Sequence, residues 1–424
     1  MQKILYYIKN HQIYLLNVGS TFFSQFANAI TLIILTPLLI KNLGLTEFGT
    51  YGVVVNVISF SVVLDFGLNI GLVRTFIHKL PKTNELLSSL FVFFATLLLI
   101  LFPIYYLFYH NYFTSEFKYS IEIALFTTII VVQNIFAVYF DALIQSLNKI
   151  YISKIIRSGK LLTELLLVIL FLQDISLLKI LYITSFVNIF YIFSLYIYLK
   201  KQINYKIDIF NFNFKLLLNH FKYSIWYFVS SVATVLVFNT QIVILNYFNG
   251  PEVTAKYLVV VRFFDIVRIA ATNFTQVLFP KIIQAEVNYQ WKELKKMFYT
   301  LLKRISLLVI IILILFWTLG FKIFEYWIGI NDDQIITLYH LYLIFTCLII
   351  LDHVSVVFLS ALKYNKLPTI LSIVQGVFGI ILSIIFLKYI GSIGLLVGFF
   401  TSFIFTNLFF NPAYLVYSMN KKVN

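Results

Sequence analysis

Residues Gly44 to Asn56 read GLTEFGTYGVVVN, and Gly250 to Arg262, at a constant offset of 206, read GPEVTAKYLVVVR. Gly, Tyr and three consecutive Val coincide without a gap. A Val triplet matches cheaply in an apolar chain, so position carries more weight than identity. Each copy follows the first long apolar segment of its half. The chain therefore reads as a membrane protein made of two repeated halves.

Composition agrees. Of the 424 residues 61% are hydrophobic and 12% charged, with a mean hydropathy of +0.93, far more apolar than a water-soluble domain of this length. The lone cysteine, Cys347, lies in an apolar run, which leaves no disulfide framework and no Cys-based metal site. The net charge of +15 and the block Lys292, Lys295, Lys296, Lys303, Arg304 superficially suit nucleic acid. The cations instead punctuate apolar stretches at alternating gaps, the orientation signal of a polytopic membrane protein. Lys3 and Lys9 precede a hydrophobic stretch that runs to about Ile40 without a small-residue cleavage site, so the N-terminus is expected to be a first transmembrane helix.

Apolar runs long enough to span a bilayer fall at 12–40, 49–72, 86–109, 120–146, 154–173 and 178–199, then at 222–247, 254–280, 301–320, 335–362, 368–388 and 392–417. The expected fold is all-α integral membrane: twelve transmembrane helices in two six-helix lobes. The domains are 1–200, a cytoplasmic amphipathic linker at 201–221, and 222–424. An even count per half makes the repeat parallel, with a pseudo-two-fold axis along the membrane normal and a site expected between the lobes near the midplane. A second connection, 281–300, spaces its apolar residues at helical intervals and is expected, like the linker, to lie along the membrane surface.

With the N-terminus inside, the cytoplasmic gaps hold 24 Lys and Arg and the outer gaps only Lys41, Lys118, Lys179, Lys256, Lys322 and Lys388. This bias predicts both termini in the cytoplasm.

Charge inside a bilayer is costly, so each intramembrane ionisable group needs a partner or a watery cavity. Arg262, Asp265 and Arg268 follow at three-residue steps in the eighth segment. Either Asp265 neutralises both arginines in a structural ladder, or one cation stays available to an anion that suits its planar fork. Asn17, Thr21, Ser24 and Asn28 form a polar face on the first segment, and Ser224, Tyr227, Ser231, Thr234 and Gln241 a similar one on the seventh. At the offset of 206, Ser24 maps onto Ser230 and Asn28 onto Thr234. These stripes are read either as polar glue between helices or as walls of a hydrophilic cavity. Asp65 and Asp141 lie on polar faces of the second and fourth segments; they suit a coupling ion or, equally, capping and helix-pair hydrogen bonds. Arg157, Lys160 and Glu164 read as an ion ladder, His353 as a buried hydrogen-bonding residue, and Ser372, Gly376, Gly379 and Ser383 as a close-packing seam. No phosphate-binding Gly loop, zinc spacing or nucleophile elbow is present.

Thr36 to Phe76, TPLLIKNLGLTEFGTYGVVVNVISFSVVLDFGLNIGLVRTF, resembles the first-loop and second-helix region of bacterial polysaccharide and O-antigen flippases of the multidrug/oligosaccharidyl-lipid/polysaccharide exporter superfamily. The residues that carry it are Leu43-Gly44, Glu47-Phe48-Gly49, Tyr51, Asp65-Phe66-Gly67-Leu68 and Arg74, joined by Gly250-Pro251, Phe279-Pro280, Leu294 and Arg304. The resemblance implies a transporter of polyprenyl-pyrophosphate-linked oligosaccharide in the bacterial inner membrane, not an enzyme. It implies no cofactor, coupling to a proton or sodium gradient, and proteins of polysaccharide assembly as partners, with no nucleic acid. The substrate-binding candidates are then Arg262, Arg268, Asp265, Asn17, Thr21, Ser24, Asn28, Ser231, Thr234 and Arg74, and the coupling-ion candidates Asp65 and Asp141. A drug exporter of the same superfamily is the main rival, and Arg262 and Arg268 count against it. A membrane polymerase or glycosyltransferase would show a large outer loop, which this chain lacks.

The charge bias makes a direct prediction. Single cysteines at Gln202 and Asn331, in a Cys347→Ala background, should react with impermeant thiol reagents from opposite sides of the membrane. Labelling of both from outside would sink the twelve-helix topology.

Overall fold

A computed structural model describes residues 12–69, 72, 83–113, 120–147, 149–203, 212–276, 278–330 and 332–423. Among the described residues every regular element is helical. In lipid no water satisfies a backbone N–H or C=O, and the helix pairs them all within one segment.

Helix α1 runs Gln12–Ser59 and breaks at Gly44, which adopts φ 76° and ψ 171°. A 3₁₀ turn, Phe60–Asp65, follows it. Then come α2 (Thr83–Phe113), α3 (Ser120–Ser146), α4 (Ile150–Leu170), α5 (Leu177–Ile203) and α6 (Phe214–Thr234). A π-turn at Val235–Asn239 leads into α7, Thr240–Gln276, which breaks at Gly250 with φ 78° and ψ 175°. The chain continues as α8 (Phe279–Val287), α9 (Trp291–Leu315), a second π-turn, α10 (Phe321–Ile328), α11 (Asp333–Ala361), α12 (Lys366–Ile390), α13 (Ile393–Phe403), a third π-turn and α14 (Phe409–Val423).

Nine stretches among the described residues are long and apolar enough to cross a membrane. Two of them, Leu16–Asp65 and Ser224–Thr272, contain the glycine breaks. Ile150–Leu170 is not among the nine, because Lys154, Arg157, Lys160 and Glu164 interrupt it. The 281–300 connection is not one surface helix: α8 ends at Val287, and residues 291–300 are the first turns of α9, continuous with its apolar part. Of the 201–221 linker, residues 204–211 lie outside the described residues.

The chain packs as two compact units, Met1–Gly44 with Val57–Ser231, and Leu45–Asn56 with Val232–Asn424. In the first, α3 packs on α2 and α5 around Leu90, Phe94, Leu143 and Leu195, and the Tyr139 hydroxyl donates to the Leu87 carbonyl at 3.1 Å. In the second, α11 packs on α7 and α9, with Phe264 against Tyr339 and Tyr342. The Asp332 carboxylate caps α11 by accepting from Gln334 N at 2.7 Å. Its bond from Lys256 Nζ, at 2.5 Å, holds its pKa below the usual carboxylate range. The small-residue seam does what its composition predicts. Gly376 faces Leu236, Gly379 faces Phe399, and Ser383 abuts Gly398 and donates to the Leu395 carbonyl at 2.8 Å.

The two sequence copies meet inside the second unit. A Cβ on Gly49 would lie 1.8 Å from the Pro251 carbonyl oxygen, and one on Gly52 would lie 2.3 Å from Leu258 Cδ2. Positions 52 and 258 are equivalent at the offset of 206, and only one of the pair has room for a side chain. The shared glycine of the repeat has its own cause. The backbone angles at Gly44 and Gly250 fall in a region open essentially to glycine alone.

Gly49→Ala should therefore lower the apparent melting temperature of the detergent-purified protein more than Gly52→Ala does. The first meets backbone, the second a movable leucine tip, and overpacking of this kind costs about 1–3 kcal/mol. Equal melting temperatures for Gly49→Ala and wild type would contradict the close approach.

Candidate functional site

Three-residue steps rotate a helix position by about 60° each, so Arg262 and Arg268 diverge around Asp265 by about 120°. Asp265 serves only one of them. Its Oδ1 accepts from Arg268 Nη2 at 2.7 Å and Nε at 3.2 Å, and both side chains keep about a third of their surface, 32% and 31%. Arg268 also stands 5.3 Å from the Phe238 ring. Arg262 is only 7% exposed. Its guanidinium lies 5.0 Å from the Phe48 ring and 5.4 Å from that of Tyr51, whose hydroxyl it also engages. A desolvated cation over aromatic faces gains about 2 kcal/mol. A ladder in which Asp265 pairs both arginines does not form. The accessible cation of the helix is Arg268, held by a carboxylate that leaves part of its fork open.

The polar face of α1 contacts protein at its lower end. Asn17 Oδ1 accepts the Tyr151 N–H of α4 at 2.9 Å, and Thr21 Oγ1 donates to the Asn17 carbonyl at 2.7 Å. Ser24 is buried and Asn28 half-buried. On α6, Ser231 donates to the Tyr227 carbonyl at 3.1 Å, and Thr234 is exposed at the start of the π-turn. Gln241 is turned inward, where Tyr257 donates to its Oε1. Gln241 thus acts as glue between helix turns, while Thr234 opens to the outside. Arg74 lies outside the described residues.

Asp65 is buried and accepts the backbone N–H of Asn69 at 3.3 Å, with those of Gly67 and Leu68 beside it. It closes the turn made possible by Gly67 at φ 68°. Asp141 bridges α3 to α4 by accepting from Ser153 Oγ, and it also accepts from Gln145 Nε2 at 3.0 Å. The expected ladder of Arg157, Lys160 and Glu164 is absent. No ion pair joins these residues, Glu164 Oε1 accepts from Thr184 Oγ1 at 2.5 Å, and Lys160 Nζ stands 5.5 Å from the Tyr191 ring. His353 Nε2 is buried without a hydrogen-bond partner among the described residues.

The sequence reading missed several residues. Phe48, Tyr51 and Phe238 flank the arginines but are hidden among 46 Phe and 29 Tyr. Asn411 donates to both oxygens of Asp352 at 3.0 and 3.3 Å, and Asn407 donates to Gln375 Oε1 at 2.6 Å and Ser372 Oγ at 3.1 Å. Their four-residue spacing in the last apolar segment was the available signal. Among the described residues no cluster of His, Cys, Asp and Glu could hold a metal.

Comparisons with known proteins place this architecture. The structure superposes on an inward-facing multidrug resistance MATE family transporter of the MOP superfamily with a TM-score of 0.73 at 14% identity, covering 94% of this chain and 96% of that one. It superposes on the lipid II flippase MurJ, in an inward closed conformation, with a TM-score of 0.70 at 18% identity, covering 96% and 87%. At such identities the likeness is one of fold. A Salmonella typhimurium (strain LT2) protein named as an O-antigen transporter is 26% identical over 196 residues, 46% of either chain, so the match spans about half of that relative's length. The sequence profile described as polysaccharide biosynthesis protein matches residues 14–286, which include both repeat copies, the paired glycine breaks and the Arg262–Arg268 turn. On that match the chain belongs to the polysaccharide biosynthesis protein family.

Proposed function

We propose that the protein is a flippase. It moves polyprenyl-pyrophosphate-linked oligosaccharide repeat units from the cytoplasmic to the outer leaflet of the bacterial inner membrane by alternating access, for O-antigen, capsule or another surface polysaccharide. Twelve transmembrane helices in two six-helix lobes, with both termini cytoplasmic, form the machine. The observation that carries this reading is an arginine kept partly open inside an apolar helix, Arg268 on Asp265, in a chain of a polysaccharide biosynthesis family. An intramembrane cation of this kind marks a passage for an anion, and a guanidinium fork suits phosphate. The named functions of the Salmonella relative and of MurJ, an O-antigen transporter and a lipid II flippase, support the same substrate class. A drug exporter shares the fold, but it is less suited to arginines on its transport helices. Asn17, Thr21, Ser24, Asn28, Ser231, Thr234 and Arg74 are assigned to the sugar and phosphate contacts, and Asp65 or Asp141 to the coupling ion.

Proteoliposomes holding the purified protein and a fluorescent lipid-linked oligosaccharide supply the test. Faster loss of inner-leaflet fluorophore than in protein-free vesicles is expected. Expulsion of cationic dyes with no flipping would establish the drug-exporter reading instead.

The two arginines should separate in the same assay. Arg268→Gln at wild-type expression should slow flipping roughly tenfold or more, the loss expected for one charge-assisted bond of about 1.5–3 kcal/mol, and Arg268→Lys should recover part of it. Arg262→Gln should chiefly lower thermal stability, by about 2 kcal/mol, because its aromatic contacts go with it. Normal flipping by well-folded Arg268→Gln would remove this residue from the substrate path.

Asp65→Asn and Asp141→Asn should each be made and flipping followed under imposed proton and sodium gradients. One of them is expected to become insensitive to the gradient while still binding substrate. Unchanged gradient responses in both would move the coupling ion elsewhere.

A further inference from the structure

The block Lys292, Lys295, Lys296, Lys303 and Arg304 occupies the first turns of α9 and has no part in the function proposed above. The helix buries Leu294, Phe298, Leu301, Ile305 and Val309. At about 100° per residue these five fall in one sector about 80° wide. Lys292, Lys296, Lys303 and Arg304 are exposed and lie on the opposite side, in a sector about 120° wide. Lys295 falls between the two faces and donates to Asn420 Oδ1 of α14 at 2.9 Å. Lys303 and Arg304 make no ion pair or side-chain hydrogen bond among the described residues. Glu293, the one carboxylate of α9, stands about 15 Å along the axis from Lys303.

The continuation of α9 shows what these cations face. Leu307, Ile310, Ile311 and Ile314 are exposed and fall inside the same sector as the four cations. One unbroken outward face therefore changes from charged to apolar between Arg304 and Leu307. The stretch Trp291–Ile328 has the smallest buried share of the nine apolar spans, 17%, so most of that face meets lipid. At its far end, past the second π-turn, exposed Lys322 and Tyr326, the latter 92% exposed, stand on α10. From Arg304 to Lys322 is 18 residues, about 27 Å of helix, close to a hydrocarbon core of about 30 Å. The match puts Lys303 and Arg304 at one membrane interface and Lys322 at the other. Exposed Tyr299, one turn before Lys303, suits the same interface.

A cation that served only to orient the chain could stand anywhere in the connection, on any side of a helix. Here the cations share the face that enters lipid. We propose that Lys303 and Arg304, with Lys296 beyond them, form a docking surface for anionic phospholipid headgroups on the lipid-facing side of the second unit. The headgroup layer is roughly 5–8 Å deep on each side, and Lys303 stands about 6 Å along the axis from Leu307. Lys296, about 10 Å further out, lies within about one Debye length of the membrane surface. Arg304 supplies a planar fork for a lipid phosphate and Lys303 a point charge beside it. A zwitterionic headgroup carries its own cation, so a net-anionic lipid is favoured. The lipid holds in place the end of a helix that little protein covers, whatever the transporter carries.

Energy transfer to lipid tests the surface. The full-length protein, with a donor dye on the cysteine of Thr300→Cys in a Cys347→Ala background, is placed in phosphatidylcholine liposomes holding a trace of acyl-labelled phosphatidylglycerol or phosphatidylcholine. Phosphatidylglycerol should be enriched several-fold over phosphatidylcholine around the dye, and high salt should lower the excess. Lys303→Gln and Arg304→Gln should each lower it roughly fivefold, the factor expected for one cation at an anionic membrane surface. Lys296→Gln should lower it less, and Arg304→Lys should keep most of it. Each variant is first shown to unfold at the wild-type temperature in phosphatidylcholine. Equal transfer to the two lipids would leave the block to an acidic protein surface and overturn the lipid assignment. An excess that survives in the folded Lys303→Gln/Arg304→Gln double variant would overturn the role of these residues. The same excess around a dye on Leu319→Cys, at the other end of the stretch, would mark only the general field of a basic protein and overturn the site. Loss of the excess on adding inorganic phosphate, but not chloride of equal ionic strength, would mark a free-anion site and overturn the lipid as its occupant.

Discussion

The second unit is organised by one close approach. The stretch after Gly44 can lie on the stretch after Gly250 only because Gly49 and Gly52 have no side chains, which lets backbone meet Pro251 and a leucine tip fill the second gap. In a bilayer such contact is the main source of helix association, since lipid tails solvate apolar side chains as well as a neighbouring helix does. Both stretches begin at a glycine bent into a conformation that other residues avoid. The bend and the small surface are two halves of one device: the bend aims each helix, and the missing Cβ atoms allow it to arrive. Residues 45–56 therefore belong by packing to the second unit although they lie in the first half of the chain.

The fate of the buried cations follows from that packing. Arg262 sits where Phe48 and Tyr51 arrive from the other copy, and aromatic faces take the place of a carboxylate. Arg268, six residues further on, has a single ring near it, Phe238 at 5.3 Å, and pairs with Asp265. The same division recurs in the first unit. Lys160 rests on Tyr191, Glu164 and Asp141 are held by hydroxyls and an amide, and Arg157 is left open. In both units one cation lies over aromatic rings and another keeps more of its surface accessible. Helix packing thus sets which charge keeps accessible surface.

Polar groups without charge show the same economy with less precision. Asn411 and Asn407 each donate to partners on a neighbouring helix, while their own carbonyl oxygens are buried without a donor among the described residues. A double-ended amide in a dry helix contact is easily half satisfied, because its NH2 donors and its carbonyl acceptor need partners in different places.

Much of the architecture was legible in the sequence. Membrane residence, helical class and the paired breaks follow from quantities that do not depend on packing: the length of apolar runs, their spacing, and glycine at matching places in two copies. The close-packing seam on α12 was equally open to view, because small residues at helical spacing have few other uses in lipid. Partner choice was not. Arg262, Asp265 and Arg268 look equivalent as a triplet, yet Asp265 pairs with Arg268 alone, and Arg157, Lys160 and Glu164 look like a ladder, yet Glu164 takes Thr184 of the next helix. A side chain a few ångströms long selects among groups brought near by helices far apart in sequence, and no local spacing encodes that neighbourhood. The sequence by itself determined that this chain is a membrane protein, helical throughout its described residues, with costly charges at known positions. Only the tertiary structure decided which charges lie under aromatic rings and which keep accessible surface, because that depends on side chains brought from other segments of the chain.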